Sequence, residues 1–192
     1  MKVILASASP RRRELLLGII PDFEVTACEV DETLPAGTPI NEGVRLLAVR
    51  KGEAALRLRG EEYMIISSDT LVELDGVPLG KPRSEEEAKE MLSRLSGRGH
   101  NVHTGVAVHF GGRVLSGTAT STVYFRRLTA AEIEAYVATG EPMDKAGAYG
   151  IQGEGGKLVE RYDGDFDTIM GLSLALTSEL IKQMKELTND EG

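Results

Sequence analysis

The chain has 192 residues, of which 41% are hydrophobic and 27% charged, so it can bury a core as a single domain over residues 1–192. Its formal net charge of -8 disfavours general binding to nucleic acid or to an anionic membrane surface, because phosphate groups repel it. No stretch reaches the ~20 apolar residues of a membrane span, and the single cysteine suits a reducing compartment. We therefore expect a cytoplasmic protein without nucleic-acid or membrane partners.

The first segment predicts a strand that turns into a helix. Lys2–Ala6 is a short apolar strand, Ser9 suits the N-cap of a helix, and Pro10 suits its first position. Arginines follow at 11–13 in the first turn, where each positive charge is unfavourable by about 0.3–1 kcal/mol against the helix dipole. A bound anion would offset this cost, so the turn indicates a polyphosphate site built from backbone N–H groups, serine hydroxyls and guanidinium groups. The alternative is a solvated basic turn.

The rest of the chain alternates between strand and helix patterns. Ser84 with Glu87, and Thr129 with Glu132, predict capping boxes at two helix starts. We predict strands over Phe23–Ala27, Tyr63–Ser67, Leu71–Leu74, Val77–Leu79, Asn101–Phe110, Val114–Phe125 and Leu158–Tyr162. We predict helices over Asn41–Arg59, from Ser84 to Gly97, from Thr129 to near Gly140, and over Leu172–Leu187. This order predicts an α/β fold with a mixed β-sheet flanked by helices.

Asp69 is the candidate catalytic carboxylate. It follows the predicted strand Tyr63–Ser67, and ligand sites in open α/β sheets collect at the carboxyl ends of strands. A carboxylate there can hold Mg²⁺ or Mn²⁺, or accept a proton from an attacking water. By itself, Asp69 fits equally well a turn residue that hydrogen-bonds its own backbone.

Two lysines are candidates for phosphate binding. Lys81 stands in Gly80-Lys81-Pro82, which lacks the spacing of a Walker A loop, and Lys51 stands on the long predicted helix. Each is either a point charge for phosphate or a solvated lysine.

Two further groups of polar residues carry a weaker signal. The acidic run of Glu29, Asp31 and Glu32 is either a solvated loop or the source of one carboxylate that holds a divalent metal with Asp69. The histidines have no recognisable set of metal-ligand partners, so we predict that they are structural or face solvent: His100, His103 and His109.

Taken in this order, the motifs resemble the Maf family of nucleoside triphosphate pyrophosphatases. The resemblance covers essentially the whole chain and is carried by Ser7-Ala8-Ser9-Pro10-Arg11-Arg12, Glu32, Lys51, Ser68-Asp69-Thr70, Gly80-Lys81-Pro82 and the glycine-rich loop Ala146–Gly153. It implies a fold of the inosine-triphosphatase (Maf/Ham1) type with a cleft between two lobes. It also implies a divalent cation, Mg²⁺ or Mn²⁺, and release of pyrophosphate.

Two positions are similar to the dTTP/UTP pyrophosphatase branch of that family, namely Thr70 after the aspartate and the run Tyr149–Gly153. The resemblance implies that water attacks between the α- and β-phosphates of dTTP or UTP. It implies that Asp69 activates this water, that Glu32 and Asp69 hold the metal, and that Gln152 contacts the base. The residues expected to bind the triphosphate are Ser7, Arg11, Arg12, Lys51 and Lys81, and Arg12 and Thr70 are expected to help select the base.

Two other functions use the same residues. One is a nucleotide-binding regulator without significant turnover, and the other is an enzyme that removes the γ-phosphate. The family name derives from inhibition of septum formation, so a part in cell-division arrest is a further hypothesis. Action on modified pyrimidine nucleotides and assembly as a homodimer are also hypotheses at this point.

Overall fold

The computed structural model describes residues 2–189 and contains a mixed β-sheet flanked by helices. Within these residues the sheet has seven strands in the order β2-β1-β3-β5-β6-β7, and β4 pairs with β3. The strands are β1 (Lys2–Ala6), β2 (Glu24–Val25), β3 (Tyr63–Leu74), β4 (Val77–Leu79), β5 (Gly99–Phe110), β6 (Arg113–Phe125) and β7 (Val159–Asp163). β1 is parallel to β2 and β3, whereas the pairs β3–β4 and β6–β7 are antiparallel. The predicted mixed α/β fold is confirmed.

Six α-helices are found in the described part of the chain. They are α1 (Pro10–Leu17), α2 (Ile40–Arg59), α3 (Glu85–Leu95), α4 (Ala130–Val137), α5 (Phe166–Met170) and α6 (Leu174–Asn189). Short 3₁₀ turns occupy Glu141–Asp144, Ala146–Ala148 and Glu154–Leu158. Across residues 2–189, no helix combines the length and the apolar character needed to cross a membrane.

The chain divides into two compact units. Unit 1 comprises Met1–Asp69, Thr104–Ala119 and Gly171–Gly192, and unit 2 comprises Thr70–His103 and Thr120–Met170.

The core of unit 1 follows from the alternation of side chains along β1. Leu5 joins one apolar cluster with Leu16 of α1 and Met184 of α6, whereas Ile4 and Ala6 join another with Ala55 of α2. Successive residues of a strand point to opposite faces, so both faces of β1 are covered by helices.

The core of unit 2 lies between its strands and helices α3 and α4. Fully or nearly fully buried side chains form it, among them Leu74, Leu92, Phe125, Ile133 and Tyr136. The glycine-rich loop joins this core through Tyr149, whose ring packs edge-on against Phe125 at a centroid distance of 4.8 Å.

Helix starts agree with the sequence in most respects. Ser9 Oγ caps α1 by accepting a hydrogen bond from Arg12 N, and Thr129 with Glu132 forms the predicted capping box of α4. Ser84 Oγ caps α3 by accepting from Glu87 N, but the Glu87 carboxylate accepts from Arg83 N. The predicted capping box at α3 is therefore only half formed.

Four predicted elements are corrected by the structure. The segments predicted as Tyr63–Ser67 and Leu71–Leu74 form the single strand β3, because the backbone stays extended through Ser68-Asp69-Thr70. The second strand is only two residues long. The last helix begins at Leu174, where Ser173 Oγ accepts from Leu176 N, and the short helix α5 before it has no counterpart among the predictions.

Candidate active site

The turn between β1 and α1 is closed by its two serines. Ser7 Oγ accepts hydrogen bonds from Ser9 N at 3.1 Å and from Arg12 Nη1 at 3.5 Å, and only 7% of Ser7 is exposed. Arg11 lies beside Arg12 on the first turn of α1 and is half-buried, whereas Arg13 is exposed. Of the three arginines, Arg12 has hydrogen-bond partners within the protein and Arg13 is exposed to solvent.

Arg12 joins three segments of unit 1. Its Nη1 donates to Ser68 O on β3 at 2.8 Å, and its Nε donates to Gly171 O, just before α6, also at 2.8 Å. Burial lowers the pKa of Arg12 from its ordinary value, although the charge of Asp69 opposes this shift. The guanidinium stays protonated at neutral pH, and it ties the β1–α1 turn to the strand that carries Asp69.

Asp69 lies within β3, not after its end as the sequence predicted. The pairing of β1 with β3 ends at Ala6 and Ser67, so Asp69 stands two residues beyond the last β1 partner. The strand continues because the following residues pair with β4. Asp69 is nevertheless where the parallel pair β1–β3 opens, which is the edge at which open α/β sheets bind ligands.

Lys51 of α2 bridges the two carboxylates predicted to hold a metal. Its Nζ donates a short hydrogen bond to Asp69 Oδ1 and lies 2.9 Å from Glu32 Oε1. The side chains of Lys51 and Asp69 are 16% and 10% exposed, whereas that of Glu32 is 65% exposed. The structure therefore brings these three predicted residues together in unit 1.

In the acidic loop before α2, the carboxylates of Asp31 and Glu32 have different partners. Asp31 Oδ1 accepts from Thr33 N at 2.8 Å, so this carboxylate serves its own turn. Arg50 of α2 donates to the carbonyl oxygens of Asp31 at 3.0 Å and Thr33 at 2.7 Å. Glu32 lies between these two anchored residues, with its carboxylate on Lys51.

Two glycines let α2 approach the sheet closely. A Cβ at Gly105 of β5 would overlap the Val44 carbonyl of α2, and a Cβ at Gly52 would lie 2.8 Å from Ser67 Oγ. Ser67 Oγ donates to Ala48 O of the same helix at 2.7 Å. This close packing holds the adjacent residue, Lys51, over Asp69.

The donor set suits a hard divalent cation. Asp69 and Glu32 supply carboxylate oxygens, and the Lys51 ammonium already places a positive charge between them. Among the described residues, no group of three or more His, Cys, Asp and Glu side chains is arranged to hold a metal without other ligands. Mg²⁺ is commonly held by one or two carboxylates together with substrate phosphates and water, so the pair fits such a cation.

The remaining predicted residues belong to unit 2. Thr70 is half-buried on β3, whereas Lys81 and Gln152 are exposed. Within this unit, Gly147 N donates to Gly80 O at 3.0 Å, which joins the Gly80-Lys81-Pro82 segment to the glycine-rich loop carrying Gln152.

All three histidines are buried, which settles the choice between structural and solvent-facing positions. His100 Nε2 lies 2.7 Å from Tyr149 Oη, and burial lowers the pKa of His100 to about 4. His103 contacts Thr120 Oγ1 at 2.8 Å and Glu73 Oε2 at 3.2 Å. Burial also lowers the pKa of His109.

The fold is that of the Ham1 proteins. The solved Ham1 protein of Staphylococcus aureus superposes with a TM-score of 0.53 over the full length of both chains, at 18% sequence identity. An identity this low shows the shared fold and nothing about activity.

Sequence comparison defines the family. The model of the Maf family, described as Maf-like protein, matches residues 2–184, and the chain belongs to this family. A relative from Photorhabdus laumondii is 44% identical over 98% of this chain and 96% of its own length, and it bears the name dTTP/UTP pyrophosphatase. A relative of the same name from Desulfitobacterium hafniense is 46% identical over 92% of this chain and 82% of its own length.

Several residues that shape these sites were not predicted from the sequence. Arg50 and the Gly171 carbonyl hold the segments around Asp69, and Tyr136 and Glu141 hold the glycine-rich loop. These residues act through contacts between separate segments of the chain, and such contacts leave no recognisable pattern in the local sequence. Only the run of glycines after Ala146 pointed toward a constrained loop there.

Proposed function

We propose that this Maf protein hydrolyses dTTP and UTP to the nucleoside monophosphate and pyrophosphate. The observation that carries the proposal is the buried Asp69, joined through Lys51 to Glu32 at the point where β1 and β3 separate. Nucleoside triphosphate pyrophosphatase activity is supported by the family and by relatives at 44–46% identity named dTTP/UTP pyrophosphatase. The proposed preference for pyrimidine nucleotides is supported by the names of those relatives and by the presence of Thr70 and Gln152.

In this mechanism Asp69 is the general base. Its buried carboxylate accepts the proton of the attacking water and orients the lone pair of that water toward the α-phosphorus. Lys51 contacts the same carboxylate, so it restricts Asp69 to one orientation and places a positive charge beside the entering phosphate. Breaking the bond between the α-phosphorus and the bridging oxygen releases pyrophosphate.

Asp69 and Glu32 are the residues that would hold a divalent cation, Mg²⁺ or Mn²⁺. Such a cation would neutralise charge on the phosphates and polarise the α-phosphoryl group. Glu32 is exposed and its backbone neighbours are anchored by Arg50, so its side chain can change partner from Lys51 while the loop stays in place.

The triphosphate is bound by cations and by the β1–α1 turn. Ser7, Arg11 and Arg12 stand at the start of α1, where the helix dipole also favours an anion. Lys51 on α2 and Lys81 in the segment Gly80-Lys81-Pro82 each add a positive charge for phosphate. Within unit 1, Arg11, Arg12 and Lys51 concentrate positive charge in a protein of net charge -8, which supports a local site for a polyanion.

The base is read by Gln152, with contributions from Thr70 and Arg12. A glutamine amide offers one acceptor and two donor hydrogens, which matches the alternating acceptors and donor on the edge of uracil or thymine. Cytosine presents a different pattern of donors and acceptors, so an amide held in the orientation that pairs with uracil would not pair with it.

The test is product analysis with a base variant and a matched control. Purified protein is incubated with dTTP, UTP, CTP, dATP and GTP and with Mg²⁺ or Mn²⁺, and the products are separated by chromatography. We expect UMP and dTMP with equimolar pyrophosphate. We expect Asp69→Asn to lower kcat by roughly 100-fold or more, the range of a lost general base, while nucleotide binding measured by calorimetry persists. Asp75→Asn, in the exposed turn after β3, should keep normal turnover.

Each other result points to a different function. Tight binding of nucleotide without turnover under either metal identifies a regulator, and release of inorganic phosphate identifies cleavage of the γ-phosphate. Near-normal turnover by Asp69→Asn contradicts its role as the base. Modified pyrimidine triphosphates in the same assay test the hypothesis that the protein also acts on modified pyrimidine nucleotides.

A further inference from the structure

Two side chains hold the second half of the glycine-rich loop and the residues that follow it, from Gly150 to Gly155. Tyr136 Oη accepts a hydrogen bond from Gly150 N at 3.3 Å, and Glu141 accepts from Glu154 N and Gly155 N, each at 3.1 Å. Tyr136 Oη in turn donates to Glu141 Oε1 at 2.9 Å. Tyr136 and Glu141, the loop clamp, thus connect the beginning and the end of the loop Gly150–Gly155.

The protonation states of the clamp suit this role at neutral pH. Tyr136 is 5% exposed, and burial raises the pKa of its hydroxyl, with the nearby Glu141 charge adding to the shift. Burial also raises the pKa of Glu141, but hydrogen bonds from Gly155, Tyr136 and Glu154 together lower it by a larger amount. The pKa of Glu141 is therefore below its ordinary value. The phenol is therefore a donor, and the carboxylate is an acceptor for three hydrogen bonds.

The loop backbone packs closely against the clamp. A Cβ at Gly155 would overlap Gly150 O and would lie 2.6 Å from Tyr136 Oη. Gly153 has a φ of +94°, which an L side chain rarely adopts, and a Cβ there would lie 2.9 Å from Glu141 Oε2. The two ends of the loop therefore meet at the clamp, and Gln152 is presented between them as an exposed side chain.

We propose that Tyr136 and Glu141 are positioning residues for base selection, which they exert by fixing the loop that carries Gln152. The inference rests on the proposed function, in which Gln152 contacts the base. An amide discriminates better between hydrogen-bond patterns when the backbone that carries it is fixed, because a mobile loop lets the amide move to satisfy either pattern. Ordering an exposed loop costs conformational entropy, and the hydrogen bonds of the clamp offset that cost before the nucleotide arrives.

The test compares the isosteric variants Glu141→Gln and Tyr136→Phe with wild type. Both keep the packing, but the first places an amide NH₂ against a backbone donor, and the second removes the partner of Gly150 N. We expect the preference for UTP over CTP, as a ratio of kcat/KM values, to fall about tenfold in each variant, the equivalent of one lost hydrogen bond. Most of the change should appear in KM for UTP, since neither residue contacts the reacting phosphates in this mechanism.

Hydrogen exchange provides a second measurement that does not depend on turnover. In both variants the amides of Gly150, Glu154 and Gly155 should exchange faster than in wild type, while the core amides of β3 stay protected. Glu160→Gln and Tyr162→Phe, at exposed positions of β7, are the matched controls and should change neither readout.

The outcomes separate this inference from the proposed function. If wild type prefers UTP, Gln152→Ala loses that preference and both clamp variants keep it, the clamp has no role in selection and the inference is wrong. Unchanged exchange at the three amides also overturns it. If wild type releases no pyrophosphate, the proposed function itself fails. If wild type releases pyrophosphate but Gln152→Ala keeps the preference, only the assignment of Gln152 to the base fails, and the role of the clamp in selection fails with it.

Discussion

Arg12 has a structural role that its place in a basic helix turn does not reveal. Its guanidinium donates to the carbonyl oxygens of Ser68 and Gly171, and Ser68 Oγ donates to the same Gly171 oxygen at 2.8 Å. Arginine presents its donors in a rigid planar fork, which allows two carbonyls in different directions to be bound together. The residue therefore connects β1, β3 and the segment before α6 whether or not it also contacts phosphate.

Replacing Arg12 tests this connection. We expect Arg12→Lys to destabilise the protein by about 1–3 kcal/mol, because a single ammonium cannot reproduce the two buried hydrogen bonds of the guanidinium to Ser68 and Gly171. Urea denaturation followed by circular dichroism measures the change. Arg13→Lys, on the exposed side of the same turn, should be neutral. Equal stability of the two variants would show that the Arg12 contacts contribute little.

Helix α2 depends on close contact between backbones. Gly105 of β5 faces the backbone of Val44 and Arg45, and Gly52 of the helix faces Ser67 and His109. Lys51 neighbours Gly52, so the depth at which the helix packs decides whether its ammonium reaches Asp69 and Glu32. An element-level property, the separation of helix and sheet, thereby controls the geometry of the candidate site.

A methyl group at Gly105 tests the importance of this separation. We expect Gly105→Ala to lower the free energy of unfolding by about 2–3 kcal/mol, because the overlapping atoms are helix backbone and cannot move aside. Under the proposed function we also expect kcat to fall, since α2 and Lys51 must shift. Thermal denaturation and the pyrophosphate assay measure these effects. The control is Gly80→Ala for stability alone, because a Cβ there meets no atom within 4 Å.

Buried histidines connect the stability of the whole molecule to pH. His100 lies in unit 2 and His109 in unit 1, and burial lowers the pKa of both. His100 has a pKa of about 4 in the folded protein against an ordinary value of 6.5, so between these values the unfolded chain binds more protons. Stability is therefore complete above pH 6.5 and declines as the pH falls toward 4.

This linkage predicts a measurable loss of stability under mild acid. For His100 alone we expect the free energy of unfolding to fall by about 2 kcal/mol between pH 6.5 and pH 4.5. Urea denaturation at a series of pH values measures this slope. His100→Gln should be less stable at neutral pH but should show a shallower slope. An identical slope in the variant would mean that another group controls this window.

Much of the fold was predictable because its signals are local. The capping residues Ser9 and Thr129, the apolar run Lys2–Ala6 and the long amphipathic helix ending at Arg59 all agree with the structure, since caps and periodicity depend on neighbours in sequence. The break predicted at Ser68-Asp69-Thr70 was wrong because polar residues resemble a turn when the neighbouring strands are unknown.

The sequence by itself determined the family, the fold class and the identity of the candidate site residues, because short motifs in a set order carry that information. Only the tertiary structure decided that Lys51 bridges Asp69 and Glu32, that Asp31 serves its own turn, and that Arg12 binds two carbonyls. These contacts join residues that are distant in the chain, and their geometry is set by packing between elements. Packing depends on the three-dimensional arrangement of all its partners, which no local pattern contains.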